Sequence, residues 1–283
     1  MAEPLYFPVE DAPLRMVPSL NRFGTDFGMG AADRQFFIAD GARARYLREK
    51  AAAPRSRRFV AGDDAMADAA RSEAVAWMCA TLRAEHPEVG AEVDDAIGHG
   101  AAGAFDIIAD RVQEDFAVLH AGDDDAGRTL VIDVRFPSGW RPERLREEGF
   151  IAIHEPVPGF PPHARAARAM VRAMVQKGPY VRFVWTACPD GALDRHPDRA
   201  ATFARWETTR DVHFRVERQV TVPLPQTRSS VFLIRVYHTP IAVLDPGRRA
   251  VLQRAMAQLP DDVRAYKGLP STEVFAAAVA RSV

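Results

Sequence analysis

Hydrophobic positions change their period twice along the chain. From Ser72 to about His86, Val75, Met78, Cys79 and Leu82 fall at i, i+3, i+4 and i+7. That spacing predicts one apolar helix face, with Ser72 as its cap and Pro87 as its stop. On this face Cys79 is a core residue rather than a nucleophile. A helical pattern also runs over 33–52, ending at Pro54, and another over 101–110. Residues 1–30, rich in Pro, Gly and aromatics, read as irregular wrapping segments, and the charged stretch 55–68 as a loop.

The period then shortens to two. Asp115 to His120 and Thr129 to Pro137 read as a β-hairpin around Gly122, three aspartates and Gly127. The aspartates lack the alternating ligands and distal Glu of an EF-hand, so a solvated turn is expected. A short helical or irregular stretch follows from Arg141. Beyond Pro161-Pro162 comes an amphipathic helix, His163 to Gln176, stopped by Gly178-Pro179. Ala166, Ala167, Met170, Val171 and Met174 form its apolar stripe; Arg165, Arg168 and Arg172 form a basic one. Strands are predicted at Tyr180 to Cys188, Arg215 to Leu224 and Ser230 to His238, then helices near Arg248 to Leu259 and Thr272 to Arg281. Two strands, a helical middle, three strands and helices at both ends make an α+β fold. The expected organisation is an N-terminal wrapping segment with helices (1–110), a core (111–240) and C-terminal helices (241–283), together one compact unit.

Composition narrows the function. The chain has 283 residues, 37 Lys+Arg against 38 Asp+Glu, and a net charge of −1. No field recruits nucleic acid or anionic lipid, and neither partner is expected. Its two cysteines, Cys79 and Cys188, suffice for neither a four-cysteine zinc or iron–sulfur site nor a disulfide framework. With no signal-peptide pattern at Met1 and no apolar run long enough for a bilayer, the expectation is a cytoplasmic protein off the membrane. Gly28-Met29-Gly30-Ala31-Ala32-Asp33 imitates part of a dinucleotide fingerprint but lacks its preceding strand and third glycine.

Chemistry concentrates between 113 and 238. Strand alternation puts Arg182, Val184 and Thr186 on one side, with Val181, Phe183 and Trp185 on the other. Arg215, Glu217, Gln219 and Thr221 align likewise, as do Arg235 and Tyr237 behind Val231 and Leu233. Such polar faces are either solvated outer surfaces with cross-strand ion pairs or a concave wall converging on a ligand.

Six segments follow one another in order: Val112-Gln-Glu-Asp-Phe-Ala-Val-Leu119, Val134-Arg-Phe-Pro-Ser-Gly-Trp140, Ile153-His-Glu-Pro-Val-Pro158, Arg182-Phe-Val-Trp185, Arg215-Val-Glu-Arg-Gln219 and Phe232-Leu-Ile-Arg-Val-Tyr237. Together they resemble the haem-dependent oxidative N-demethylase family, the haem-bearing α subunit of a dimethylamine-oxidising enzyme. The resemblance spans about residues 20 to 260. It implies a PAS-like core, a five-stranded antiparallel sheet with a helical insert after its second strand. It also implies one haem b and oxygen-dependent demethylation of a small methylated amine to formaldehyde and the shortened amine. Electrons would come from a separate reductase carrying FMN and a 2Fe–2S cluster and using NADPH, and a folate-binding component would take up the formaldehyde.

The resemblance also assigns residues. Of eight histidines, His154 is the expected iron ligand, set between an apolar run and two prolines in the helical insert. His163 is the runner-up, or a partner for a haem propionate. Arg165 and Arg168 match propionates by charge and fork geometry, or are a solvated helix face. Arg182, in place of the arginine of the family's Arg-x-Asn-Trp motif, is the expected distal donor to oxygen; its bland role is an ion pair with Glu217. Trp185 packs in the core or faces the pocket, where it would contact substrate or cofactor. Glu217 and Tyr237 either hold a cationic amine or complete the sheet's polar face. One departure stands out: Val184 occupies the place of the family's Asn, which points to a substrate other than dimethylamine. Two rival readings remain, a haem gas-binding protein without turnover and a non-haem relative that keeps only the fold.

Overall fold

The structure, a computed structural model, describes residues 3–10, 19–94, 98, 100–146, 154, 156–159 and 164–283. Its elements in chain order are β1 (Asn21–Arg22), α1 (Arg43–Ala52), β2 (Arg58–Val60), α2 (Ala65–Glu85), α3 (Pro87–Val93), α4 (Gly100–Ala109), β3 (Asp115–His120), β4 (Arg128–Asp133), α5 (Ala164–Gln176), β5 (Tyr180–Cys188), β6 (His213–Leu224), β7 (Ser229–Pro240), α6 (Pro246–Ala257), α7 (Asp261–Tyr266) and α8 (Thr272–Ser282). The α+β class holds. The sheet has seven strands rather than the expected five, all antiparallel, in the order β1-β5-β6-β7-β3-β4-β2.

The two additional strands sit at the edges and are two and three residues long, too short to leave a period in the sequence. In β2, expected as loop, Phe59 pairs with Ile132 of β4 and is buried between Arg58 and the exposed Val60. Helix α2 begins seven residues before Ser72, because Asp64 is the true cap: its side chain accepts from the Ala67 N–H at 2.8 Å and is held by Arg128 at 2.7 Å. The expected helix over 33–52 is broken. A 3-10 turn, Gly30–Arg34, precedes it, and Asp33 turns its carboxylate to Phe27 N–H, Met29 N–H and the Tyr6 hydroxyl at 2.8–3.0 Å. The glycines that imitated a nucleotide loop serve this turn, with Gly28 at φ +83° and Gly30 at +62°.

Among the described residues four apolar clusters organise the core. Met78, Cys79 and Leu82 of α2 pack with Phe116 and Val118 of β3 and Val220 of β6, so the predicted helix face and the core role of Cys79 are both correct. On the same side of the sheet, α6 and α8 cover Trp185, Val216 and Tyr237. On the other side Ile132, Val134, Phe136, Leu145, Ile234 and Val236 form a smaller cluster, and α5 packs Val171 and Val175 on Leu119. Among the described residues no helix is long and apolar enough to cross a membrane.

Candidate functional site

The face opposite α2, α6 and α8 bounds a cavity of about 1500 Å³, beyond the roughly 300–1,000 Å³ of ordinary small-molecule clefts. Strand alternation decides what lines it. Arg182, Val184 and Thr186 of β5 and Arg215, Glu217, Gln219 and Thr221 of β6 all face inward, as the concave reading of these positions requires. Beside this polar strip the floor is apolar, made by Ile132, Val134, Phe232 and Ile234. Met170, Ala173 and Met174 of α5 form one wall, and His154 with Val157 and Pro158 another.

The polar strip is a single directional chain of hydrogen bonds. Arg182 Nε donates to Gln219 Oε1 at 2.7 Å, and Gln219 Nε2 donates to Glu217 Oε2 at 2.8 Å. From the other end, Arg215 Nε donates to Ser138 Oγ at 2.8 Å, and Ser138 donates to Glu217 Oε1. Arg215 is fully buried and its remaining donors reach the carbonyls of Leu193 and Phe136 and His238 Nε2, all within 2.8 Å. It thereby clamps segments 136–140 and 189–195 onto the sheet. Burial, reinforced by Arg215, pushes the His238 pKa well below its usual value, which suits an imidazole that accepts from a guanidinium. Arg182 is also lowered by burial, with Glu217 opposing the shift. The bland expectation of a direct Arg182–Glu217 ion pair is replaced by contact through Gln219.

The other expected residues fall in several places. His154 lines the cavity, and its carbonyl accepts from Val157 N–H at 2.9 Å. His163 lies outside the described residues. Arg165 is exposed; Arg168 and Arg172 reach Asp124 and Asp125 of the β3–β4 turn at 3.8 and 3.0 Å, away from the cavity. The register Val216↔Tyr237 places Tyr237 on the opposite face from Glu217, whose partner across the strands is Val236. Tyr237 therefore does not meet Glu217 in the cavity: it is buried against Tyr6, with ring centroids 5.4 Å apart, and beside Arg235. Trp185 shares that face, packs near Phe214, and meets the cavity only where it continues round the edge of β5 with Tyr6 and Phe183.

Three contributors had no role in the sequence reading. Ser138 lies inside a quoted motif and Gln219 on the aligned face of β6, so both were visible without their function. Lys267 follows the short helix α7, which leaves too few periodic positions to detect. Its Nζ donates to the Trp185 carbonyl at 2.9 Å across the β5 edge and lines the cavity.

A family model described as "Haem-dependent oxidative N-demethylase, alpha subunit-like" matches residues 41–276, which include every inward-facing residue of the strip. The chain belongs to this family. The residues of the demethylase-like cavity fit the haem of the family's description on three counts. Its size admits a macrocycle, its floor is apolar, and an imidazole stands on a wall separate from the arginine-bearing strip. Among the described residues His154 is the histidine on the cavity wall that could hold iron. The open donors of Arg182 and Lys267 are suited to anionic groups.

Proposed function

We propose that this chain binds one haem b through His154 and oxidises the N-methyl group of a small amine to release formaldehyde and the shortened amine. The observation that carries the reading is the meeting, in one cavity, of His154 with the Arg182–Gln219–Glu217 chain. When bound, haem supplies the oxygen and one-electron chemistry that these side chains lack. Arg182 presents the donors left after its Nε is engaged, aimed where negative charge develops on oxygen. Glu217 accepts an N–H of the protonated amine through lone pairs not used by Ser138 and Gln219. Val184 sets an apolar surface opposite that carboxylate. Oxidation at the methyl carbon gives a carbinolamine, which collapses to formaldehyde and amine.

Two cysteines are too few to ligate a 2Fe–2S cluster on this chain, and the family resemblance supplies the electron source, a separate reductase using NADPH, FMN and a 2Fe–2S cluster. The five longer strands run β5-β6-β7-β3-β4 with α5 between β4 and β5, which supports a PAS-like core within 111–240, edged by β1 and β2 and flanked by 1–110 and 241–283. Tyr237 is left out of the catalytic set because of its face, Arg165 out of the cofactor set because it is exposed and off the cavity lining, and Arg168 because it turns to Asp124.

The test is reconstitution. Haem added to the purified protein should give one Soret-absorbing group per chain, and His154→Ala should lose it, with free imidazole restoring the spectrum. No Soret band in the wild type would end the reading. Formaldehyde release from a methylated amine, given a reductase, separates an enzyme from a gas-binding protein; bound haem without product favours the latter.

A further inference from the structure

Two cations in the cavity have Glu217 near enough to act on both, yet not as a direct partner. Arg182 and Lys267 both line the cavity, and among the described residues neither makes an ion pair. Arg182 uses Nε on the Gln219 amide at 2.7 Å, and Lys267 uses one of its three N–H donors on the Trp185 carbonyl at 2.9 Å. Glu217 is already engaged by Ser138 and by Gln219 and lies 3.7 Å from Arg215. Burial pushes the Lys267 pKa down and Arg182 adds to the shift, against the pull of Glu217. An ammonium withdrawn from water, with a neutral carbonyl as its direct acceptor and a carboxylate only at longer range, gains when an anion comes into contact with it. Gly268, at φ +62°, turns the chain just after Lys267, and the Trp185 carbonyl holds the ammonium against the free edge of β5.

We propose that Lys267 and Arg182 form a carboxylate-recognition pair that takes an acid group of the bound ligand. Two sources supply that chemistry: a propionate of the haem, which rests on the haem reading above, or the carboxylate of an N-methylated amino acid. An amino acid would place its ammonium toward Glu217 and its carboxylate toward the two cations, using both signs of charge in the strip. A simple methylamine would use only one.

The experiment has two arms, each run on wild type, Lys267→Gln and Lys267→Arg. In the first, affinities for haem and for its dimethyl ester are compared by transfer to apomyoglobin. A preference for the free acid of about tenfold or more, lost in K267Q and kept in K267R, assigns the pair to the propionate. In the second, calorimetry compares N-methylglycine with dimethylamine on haem-free and haem-loaded protein. An N-methylglycine preference that falls about tenfold in K267Q assigns the pair to substrate. A wild type that prefers neither acid overturns the proposal without recourse to a variant. So does a K267Q that keeps its circular dichroism and melting temperature and matches wild type in both ratios. Protein that takes up neither haem nor ester removes the haem reading, and the haem-free N-methylglycine titration still decides the pair.

Discussion

Arg182 and Gln219 are joined by a 2.7 Å bond whose direction is fixed at both ends: the guanidinium can only donate, and Glu217 on the far side of the amide only accepts. Gln219 thus locks the guanidinium in place without neutralising it. Gln219→Leu should keep haem yet lower the fluoride affinity of the ferric protein about tenfold, because Arg182 is no longer held. It should also cost about 1–3 kcal/mol of stability through the unpaired groups left behind. Arg182→Ala should lose at least as much fluoride affinity. Affinities equal to wild type in both variants would take Arg182 out of the distal site.

Val184 faces Glu217 directly across β5 and β6. Val184→Asn places an amide beside the carboxylate and offers a partner to an amine with a second N–H. Dimethylamine binding should tighten relative to trimethylamine by about threefold to tenfold, the worth of one net hydrogen bond. Calorimetric titration reads the ratio directly, and an unchanged ratio would place Val184 out of the substrate's reach.

Much of this architecture was legible because the long elements carry a period. All five longer strands appeared within a few residues of their true bounds, as did the helix face of Val75, Met78, Cys79 and Leu82. Alternation along β6 even grouped Arg215, Glu217, Gln219 and Thr221 correctly. It could not say whether that face met water or a cavity, since this depends on α5 and on segments folded across it. Nor does one strand's alternation give its register with the next, so Tyr237 was grouped with Glu217 when pairing sends it to the other side. For Arg168 the sequence left open a propionate or a solvated helix face, and what favours the second, Asp124, is 44 residues away and reaches it only in the folded chain. Short pieces such as β2 and α7 are fixed by tertiary contacts alone, and Lys267 went unseen with α7.

Asp40 and Arg235 form an ion pair at 2.9 Å with neither side chain exposed. The guanidinium also lies over the Tyr46 ring, 3.8 Å from its centroid, and Asp40 accepts from Gln113 at 3.0 Å. Asp40→Ala strands a buried charge, so it should destabilise the fold by about 3–5 kcal/mol, read as a lower urea midpoint with unchanged slope. The double change Asp40→Leu with Arg235→Met should cost less than Asp40→Ala alone. A loss under about 1 kcal/mol in the single variant would show that Glu3 and the rings hold the charge without Asp40.

Asp115 makes the stability of the core pH-dependent. Burial pushes its carboxyl up to about 6, against the pull of Lys50 at 3.5 Å, whereas in the unfolded chain it titrates near 3.9. Between those values the folded protein binds more protons at this site than the unfolded chain does. Stability contributed by Asp115 is therefore greatest below about pH 4, falls as pH rises toward about 6, and stays level above. Asp115→Asn keeps an acceptor for the Phe136 N–H, now bonded at 2.7 Å, and removes the titration. The unfolding free energy of the variant minus that of wild type should rise from pH 4 to 6 and then flatten, measured from urea curves at each pH. A difference constant across that range would mean that Lys50, itself sunk among the carbonyls of Ala109, Val112 and Glu114, keeps Asp115 ionised throughout.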